Sequence, residues 1–253
     1  MKEYVIKGMK EKGWSPDVIA GRLQKYDSHL VDGKTISHEA IYDYIYNGEG
    51  KYENLYQQLK RSGRKRKKRR SGIYKKERIP SKISIHQRPQ EIEDRNIAGH
   101  WESDTVEGKK GASKYALSVQ YERKYKITKI HRIINKTAEE TLNALKKTIE
   151  QFPLQLMKSF TFDNGGESAK HVELRKEYEM QTYHCDPYAS WQKGGVENTN
   201  GLIRYYIPKG TDIATLSIDD VQWVEDRLNN TPRKSINYLT PYEALAVEWG
   251  GLI

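Results

Sequence analysis

From residue 100 onward the period of hydrophobic and polar positions changes. "HWESDTVEG" (100–108) is strand-like and ends in charged turn residues. "KYALSVQYE" (114–122) and "KITKIHRII" (126–134) read as two more strands, with Arg123-Lys124 between them. The period then lengthens. "KTAEETLNALKKTIEQF" (136–152) sets Leu142, Leu145 and Ile149 on one helical face, with Thr137 as N-cap and Glu140 completing a capping box. "SFTF" alternates and stops at Asp163-Asn164-Gly165-Gly166, a strand running into a tight turn. "AKHVELRKEYE" (169–179) predicts a second helix and "MQTYHC" (180–185) a fifth strand. Further helices are expected over 195–206 and from Ser217 to Asn229. Three strands in a row, then helix alternating with strand, describe a mixed α/β sheet with helices packed on its faces.

The first part of the chain is patterned differently. A short helix fits residues 1–12. In "SPDVIAGRLQKY" (15–26) Ser15 is an N-cap, Pro16 suits the first helical position and Asp17 the first turn, while Trp14 staples against Ile19. A second start follows in "ISHEAIYDYIYNG" (36–48), where Ser37 caps, Ile36 and Ile41 form the staple and Gly48 ends the helix. Ile41, Tyr44 and Ile45 form a buried stripe, leaving His38, Glu39, Tyr42, Asp43 and Tyr46 outward. Short capped helices with an outward polar face fit a helix-turn-helix whose last helix enters a major groove, with Ser37, His38 and Tyr42 as the candidate contacts. The connector at 27–35 is longer than the usual turn, and the outward face lacks Arg and Lys.

Charge separates the two regions. Residues 60–76, "KRSGRKRKKRRSGIYKK", carry 11 Lys and Arg and no acid, whereas residues 1–59 have net charge −1 and residues 77–253 net charge 0. The excess of +10 is therefore essentially one tract. Like charges in a block repel and form no core, and a phosphate backbone is the natural neutraliser. Lys65, Arg66, Lys67, Lys68, Arg69 and Arg70 are the expected phosphate contacts of a linker over 60–98. It joins a helix-turn-helix domain (1–59) to the α/β domain (99–253). No apolar run approaches the roughly 18 to 20 residues that span a bilayer. The segment after Met1 is charged, and the single cysteine, Cys185, excludes an internal disulfide. The reading is a soluble, intracellular protein.

Three carboxylates stand out: Asp104 in the first strand, Asp163 at the end of the fourth, and Glu197 in the first turn of the helix over 195–206. After a three-strand meander and a crossover helix, the first and fourth strands are natural neighbours, so Asp104 and Asp163 can face one another. Glu197, Asn200, Gly201 and Arg204 share one helical face. Carboxylates this close repel unless a cation neutralises them. Hard oxygen donors select Mg²⁺ or Mn²⁺ and leave room for substrate phosphates. The acidic residues of this region nevertheless offer many such triples. His184-Cys185-Asp186 has metal-ligand residue types but no second cluster at zinc spacing.

"GHWESDTVEG", "TFDNGGE", "DPYASWQKGGVENTNGLIRYYIPKGTD" and "RLNNTPRKSINYLTPYEAL" occur in that order. They closely resemble the transposases of the insertion-sequence-thirty family, DDE recombinases with an RNase H-like fold. The resemblance covers most of residues 14–247 and is dense between 99 and 245. It implies that Asp104, Asp163 and Glu197 are the catalytic and metal-binding triad of a two-metal enzyme using Mg²⁺ or Mn²⁺. The enzyme would cleave DNA at insertion-element ends and transfer the strand into target DNA. Lys193 and Arg204 are then candidate phosphate contacts, Asn200 a further DNA contact, and Trp191 and Tyr188 candidates for stacking on an exposed base. Double-stranded DNA is the implied partner, a homo-oligomer on DNA the implied assembly, and the bacterial cytoplasm the implied location, at the nucleoid when DNA-bound. Members commonly carry a further N-terminal helical segment, so a truncated or internally started copy is expected. Two other functions compete: a transposase-derived DNA-binding protein without transposition activity, and a structure-specific nuclease on the same fold.

The basic tract makes a prediction of its own. With all six residues from Lys65 to Arg70 on phosphates, the log–log salt dependence of DNA binding carries about 0.9 per contact, roughly five in all. Replacing the six with Gln should flatten that slope, measured by titrating DNA at several salt concentrations, and leave any sequence preference in place. An unchanged slope would mark the tract as a spacer.

Overall fold

The computed structural model describes residues 1–60 and 79–250, so Lys65, Arg66, Lys67, Lys68, Arg69 and Arg70 lie outside the described residues. The chain divides into two compact units, one within Met1–Ile73 and Asn229–Gly251, the other within Tyr74–Leu228.

The first unit is helical. It contains α1 (Lys2–Lys10), α2 (Pro16–Arg22) and α3 (His38–Tyr46). Both expected caps form: the Ser15 hydroxyl accepts from Val18 N at 3.4 Å and the Ser37 hydroxyl from Ala40 N at 3.2 Å. Trp14 and Ile19 meet in one core with Val5, Met9, Ile41, Ile45 and Leu55. The helix expected to reach Tyr26 is regular only to Arg22 and widens into a π-turn over Leu23–Asp27. Asp27 then accepts from Arg22 Nε at 3.2 Å and from the Tyr4 hydroxyl at 2.7 Å. The long connector winds through a 3₁₀ turn, Ser28–Val31, and the left-handed Asp32 and Gly33.

The C-terminal stretch, expected within the α/β domain, belongs to this helical unit. Its helix α9 (Pro241–Trp249; α4 to α8 follow in the second unit) opens with a reciprocal capping box between Thr240 and Glu243. Arg22 explains the docking. Its Nη1 and Nη2 donate to the two oxygens of Glu243 at 2.6 and 2.7 Å, and Nη1 also reaches Tyr238 O at 3.1 Å. The Tyr238 ring lies where a Cβ at position 21 would be only 2.1 Å away, so Gly21 is required.

The second unit begins with the short α4 (Gln90–Glu93) and builds a five-stranded sheet: β1 (His100–Glu107), β2 (Ala116–Glu122), β3 (Thr128–Ile133), β4 (Ser159–Phe162) and β5 (Gln181–His184). The order is β3-β2-β1-β4-β5. The first three strands form the antiparallel meander, and β4 and β5 add in parallel beside β1. That order and those directions are the RNase H-like arrangement.

Helix α5 (Ala138–Ile149) packs on β2 and β3. Thr137 caps it as expected, accepting from Glu140 N at 3.3 Å. The capping box does not close, because the Glu140 carboxylate accepts from Ile134 N instead. Helix α6 (His171–Tyr178) leads into β5, and α7 (Gly194–Tyr206) and α8 (Ile218–Asn229) follow. Val196 and Ile203 of α7 and Val221, Val224 and Leu228 of α8 share one core with Val106, Leu117, Val119 and Ile130 of the sheet. The buried Glu225 fixes α8 to β3 by accepting from Ile130 N at 2.7 Å and pairing with Lys129. Among the described residues no helix is long and apolar enough to cross a membrane.

Burial opposes the charge of Glu243, yet Arg22 and the Thr240 amide outweigh it and hold the carboxyl below its ordinary value. Glu243 stays partly open to water, which screens the pair, so Arg22→Gln should cost the helical unit about 1–2 kcal/mol. A group with a depressed folded-state pKa stabilises above its unfolded value and loses that contribution as pH falls. The gap in thermal midpoint between wild type and Arg22→Gln, followed by circular dichroism, should therefore narrow below about pH 4.

Candidate active site

The parallel pairing of β1 with β4 sets the site. Glu102 is the register partner of Thr161. Side chains two residues further along each chain keep to the same face, so Asp104, still within β1, and Asp163, just past the end of β4, come side by side beyond the last β1–β4 pair. Asp163 closes an Asx-type turn, its Oδ1 accepting from Gly165 N at 2.9 Å. Asp104 Oδ1 accepts from Thr105 N, and Oδ2 from Asn200 Nδ2 of α7, both at 2.9 Å. Asp104 is 27% and Asp163 47% exposed in their side chains, so both remain accessible.

Between them lies Lys193, whose residue is 4% exposed. Its ammonium donates to Ser103 O at 2.8 Å and stands 3.6 Å from Asp104 Oδ1 and 4.0 Å from Asp163 Oδ2. Burial works against this charge, but Asp104 and Asp163 prevail and raise the Lys193 pKa above its ordinary value. The sequence named Lys193 as a candidate phosphate contact; the structure sets its ammonium between the two carboxylates.

Glu197 rides on α7. The N-terminus of that helix is held by the fully buried Glu102, whose Oε2 accepts from Val196 N at 2.8 Å and whose Oε1 accepts from Arg123 Nη1 at 3.0 Å. Gly195 allows the approach: a Cβ there would lie 2.2 Å from the Tyr121 ring and 2.9 Å from Glu102 Oε2. Glu197 does not join the aspartates in a closed cluster, since among the described residues no three His, Cys, Asp or Glu side chains converge to hold a metal. Glu167 adds a nearby carboxylate. Burial and the charge of Asp163 raise its pKa, against the opposing pull of Lys136, 3.2 Å away.

The other expected residues fall into different places. Arg204 donates to Glu107 O at the edge of β1. Trp191 is 74% exposed, and Tyr188 is also exposed in a left-handed conformation, both on the loop before α7. On α3 the Ser37 hydroxyl is occupied as the cap, His38 stands edge-on to Tyr42, and Tyr42 stacks on Tyr46 with rings 9° from parallel. His184 is buried against Phe162 and edge-on to His171, and burial brings its pKa down to about 3. The buried Glu102, which shares the strand face of Asp104, proves to cap the helix of Glu197. Its signal was the i, i+2 spacing to Asp104 combined with a glycine pair opening the helix.

No family model matches the chain. The chain is 35% identical over 245 residues to the transposase for insertion sequence element IS1086 of Cupriavidus metallidurans, covering 96% of this chain and 71% of that protein. It is 38% identical over 247 residues to the transposase for insertion sequence element IS4351 of Bacteroides fragilis, covering 96% and 72%. It is 35% identical over 251 residues to transposase InsI for insertion sequence element IS30A of Escherichia coli, covering 97% and 64%. Among solved structures, the HTLV-2 integrase catalytic core domain in complex with magnesium aligns with a TM-score of 0.45 at 21% identity, covering 59% of this chain and 97% of that one. The catalytic core domain of BIV integrase aligns with a TM-score of 0.46 at 20% identity, covering 60% and 96%. Identity of 35–38% across 96% of its length places this chain in the insertion-sequence-thirty family of transposases, enzymes that cut and join DNA.

Proposed function

We propose that this chain is a DDE transposase in which Asp104, Asp163 and Glu197 hold two divalent ions, Mg²⁺ or Mn²⁺, and act on element ends and target DNA. The observation that carries the reading is the pair of aspartates on neighbouring strands β1 and β4 with an ammonium between them. A cation already stands at both carboxylates, and the donors are hard oxygens, so the residues fit a small hard metal ion. Two such ions, when bound, supply Lewis acidity at the attacking and leaving oxygens of an in-line displacement.

The chain's own residues position the reaction. Asn200 and the Gly165 amide orient one oxygen of Asp104 and one of Asp163. Glu197, in the first turn of α7, is the proposed third ligand. In the first displacement a water oxygen bonds to phosphorus at the element end, the P–O3′ bond breaks, and the freed oxygen takes up a proton. In the second, that 3′-hydroxyl bonds to a target phosphorus, and the target's own 3′ oxygen leaves. The numbers of phosphodiester bonds made and broken match in the transfer step, and no covalent bond to protein forms. Exposed Trp191 and Tyr188 suit stacking on an unpaired base, and the basic tract suits the phosphate backbone. The helix-turn-helix engages double-stranded DNA, and a dimer or larger assembly brings the ends together.

Incubation with labelled element ends, a target plasmid and Mg²⁺ tests the reading. Joined product is expected; cleavage without joining would identify a nuclease, and a gel shift alone a DNA-binding protein. In the same assay Asp104→Asn, Asp163→Asn and Glu197→Gln should each reduce cleavage by more than the roughly 100-fold that changes around metal ligands cost, while DNA binding persists. Normal cleavage by any one variant removes that residue from the triad. Exchanging the metal gives a further check. Mn²⁺ should replace Mg²⁺, while Ca²⁺, with longer and looser coordination, should support DNA binding with little cleavage. Full activity in EDTA would defeat the metal assignment.

A further inference from the structure

A chain of charged side chains runs beneath the three carboxylates. Arg88 Nη1 donates to Thr161 Oγ1 of β4 at 2.9 Å, and its Nε to Glu93 Oε1 at 2.9 Å. Glu93 Oε2 in turn lies 3.3 Å from Arg123 Nη2. Arg123 Nη1 donates to Glu102 Oε1 at 3.0 Å, and Glu102 Oε2 accepts from Val196 N at 2.8 Å. Only Glu93 is substantially open to water; the side chains of Arg88, Arg123 and Glu102 are 1%, 2% and 0% exposed.

The three contacts that this chain makes with the scaffold are not scattered. Thr161 is two residues before Asp163, Glu102 two residues before Asp104, and Val196 one residue before Glu197. Thr161 and Glu102 are also register partners across the parallel β1–β4 pair. One network therefore touches each element beside its catalytic carboxylate. Its composition is costly for stability alone, because apolar side chains of similar volume usually serve a core as well as buried ion pairs do. An apolar residue at 102 would leave Val196 N without its partner and α7 without a fixed start. The carboxylate also meets the positive end of the α7 dipole.

We propose that Glu102 and Arg123 are positioning residues, and that the Arg88–Glu93–Arg123–Glu102 relay sets the mutual geometry of Asp104, Asp163 and Glu197. Productive metal geometry tolerates displacements of only about 0.5 Å, so a relay that registers two strands and a helix acts on metal binding and turnover before it acts on DNA binding. The inference rests on the triad assignment above.

The test uses the full chain, with Mg²⁺ affinity measured calorimetrically without DNA, kcat and KM for end DNA, and the thermal midpoint. Arg123→Gln should weaken Mg²⁺ binding and lower kcat by about 10-fold or more, with KM for DNA unchanged. The double variant Glu102→Gln/Arg123→Gln keeps an oxygen able to accept from Val196 N and leaves no unpaired charge, so it should regain part of both losses. Glu93→Gln breaks the relay at its one exposed member while keeping an oxygen for Arg88 and Arg123, and should lower kcat and Mg²⁺ affinity by a smaller factor, read on a chain whose midpoint shows that it is folded. If the midpoint alone moves across the series while Mg²⁺ affinity and kcat stay at wild type, the relay is only structural and the proposal falls. Should Arg123→Gln fail to fold, Glu93→Gln decides by the same criterion. A wild-type chain that neither binds Mg²⁺ nor cuts DNA would instead sink the triad assignment, with Asp104→Asn as the reference for a lost metal site.

Discussion

Two carboxylates on adjacent strands, Asp104 and Asp163, repel, and the second unit is built around managing that repulsion. Unit charges about 4 Å apart interact by about 4 kcal/mol at the effective dielectric of a partly exposed site. Lys193 meets this locally, standing within 4.0 Å of both aspartates. Its ammonium can do so only because Ser103 O anchors it from β1 itself. Asn200 spreads the charge of Asp104 onto α7. The site therefore depends on α7 lying across β1 and β2, and α7 lies there because Val196 and Ile203 complete the core that the sheet presents.

Apolar packing and polar registration divide the labour. The shared core with α8 holds α7 onto the sheet but leaves its axial position loose, since apolar contact is not directional. Hydrogen bonds to fixed atoms are directional, and the bond from Val196 N to Glu102 sets where the helix begins. The same arrangement recurs on β3, where the buried Glu225 takes the Ile130 amide and Lys129 together and ties α8 to its strand.

Much of this was legible in the sequence, and the failures have physical causes. The strands follow from the pattern of hydrophobic and polar positions, and Ser15, Ser37 and Thr137 cap as their positions imply, because these signals are local. The neighbouring of β1 and β4 follows from chain order, whereas the bond from Asn200 to Asp104 appears only once α7 is laid on the sheet. Lys193 was named as a candidate phosphate contact, but its place between Asp104 and Asp163 is visible only in the folded sheet. Glu140 reached Ile134 N in place of its capping-box target, a choice between local acceptors that sequence does not resolve. The destination of residues 229–250 was hidden for another reason. Their partner Arg22 lies over 200 positions away, and no periodicity reports such a contact.

That distant contact has a consequence for the order of synthesis. The helical unit draws on both ends of the chain, and the sheet unit is inserted between them. On the ribosome, residues 79–228 are complete while Arg22 and Gly21 still lack Glu243 and Tyr238. Domains generally fold as units, in the order they emerge. Here the sheet can close first, and the unit that emerged earliest is finished last. A nascent chain at that stage would carry an assembled sheet and a still incomplete helical unit. Residues 229–250 thus close a unit whose first helices were made more than 200 positions earlier.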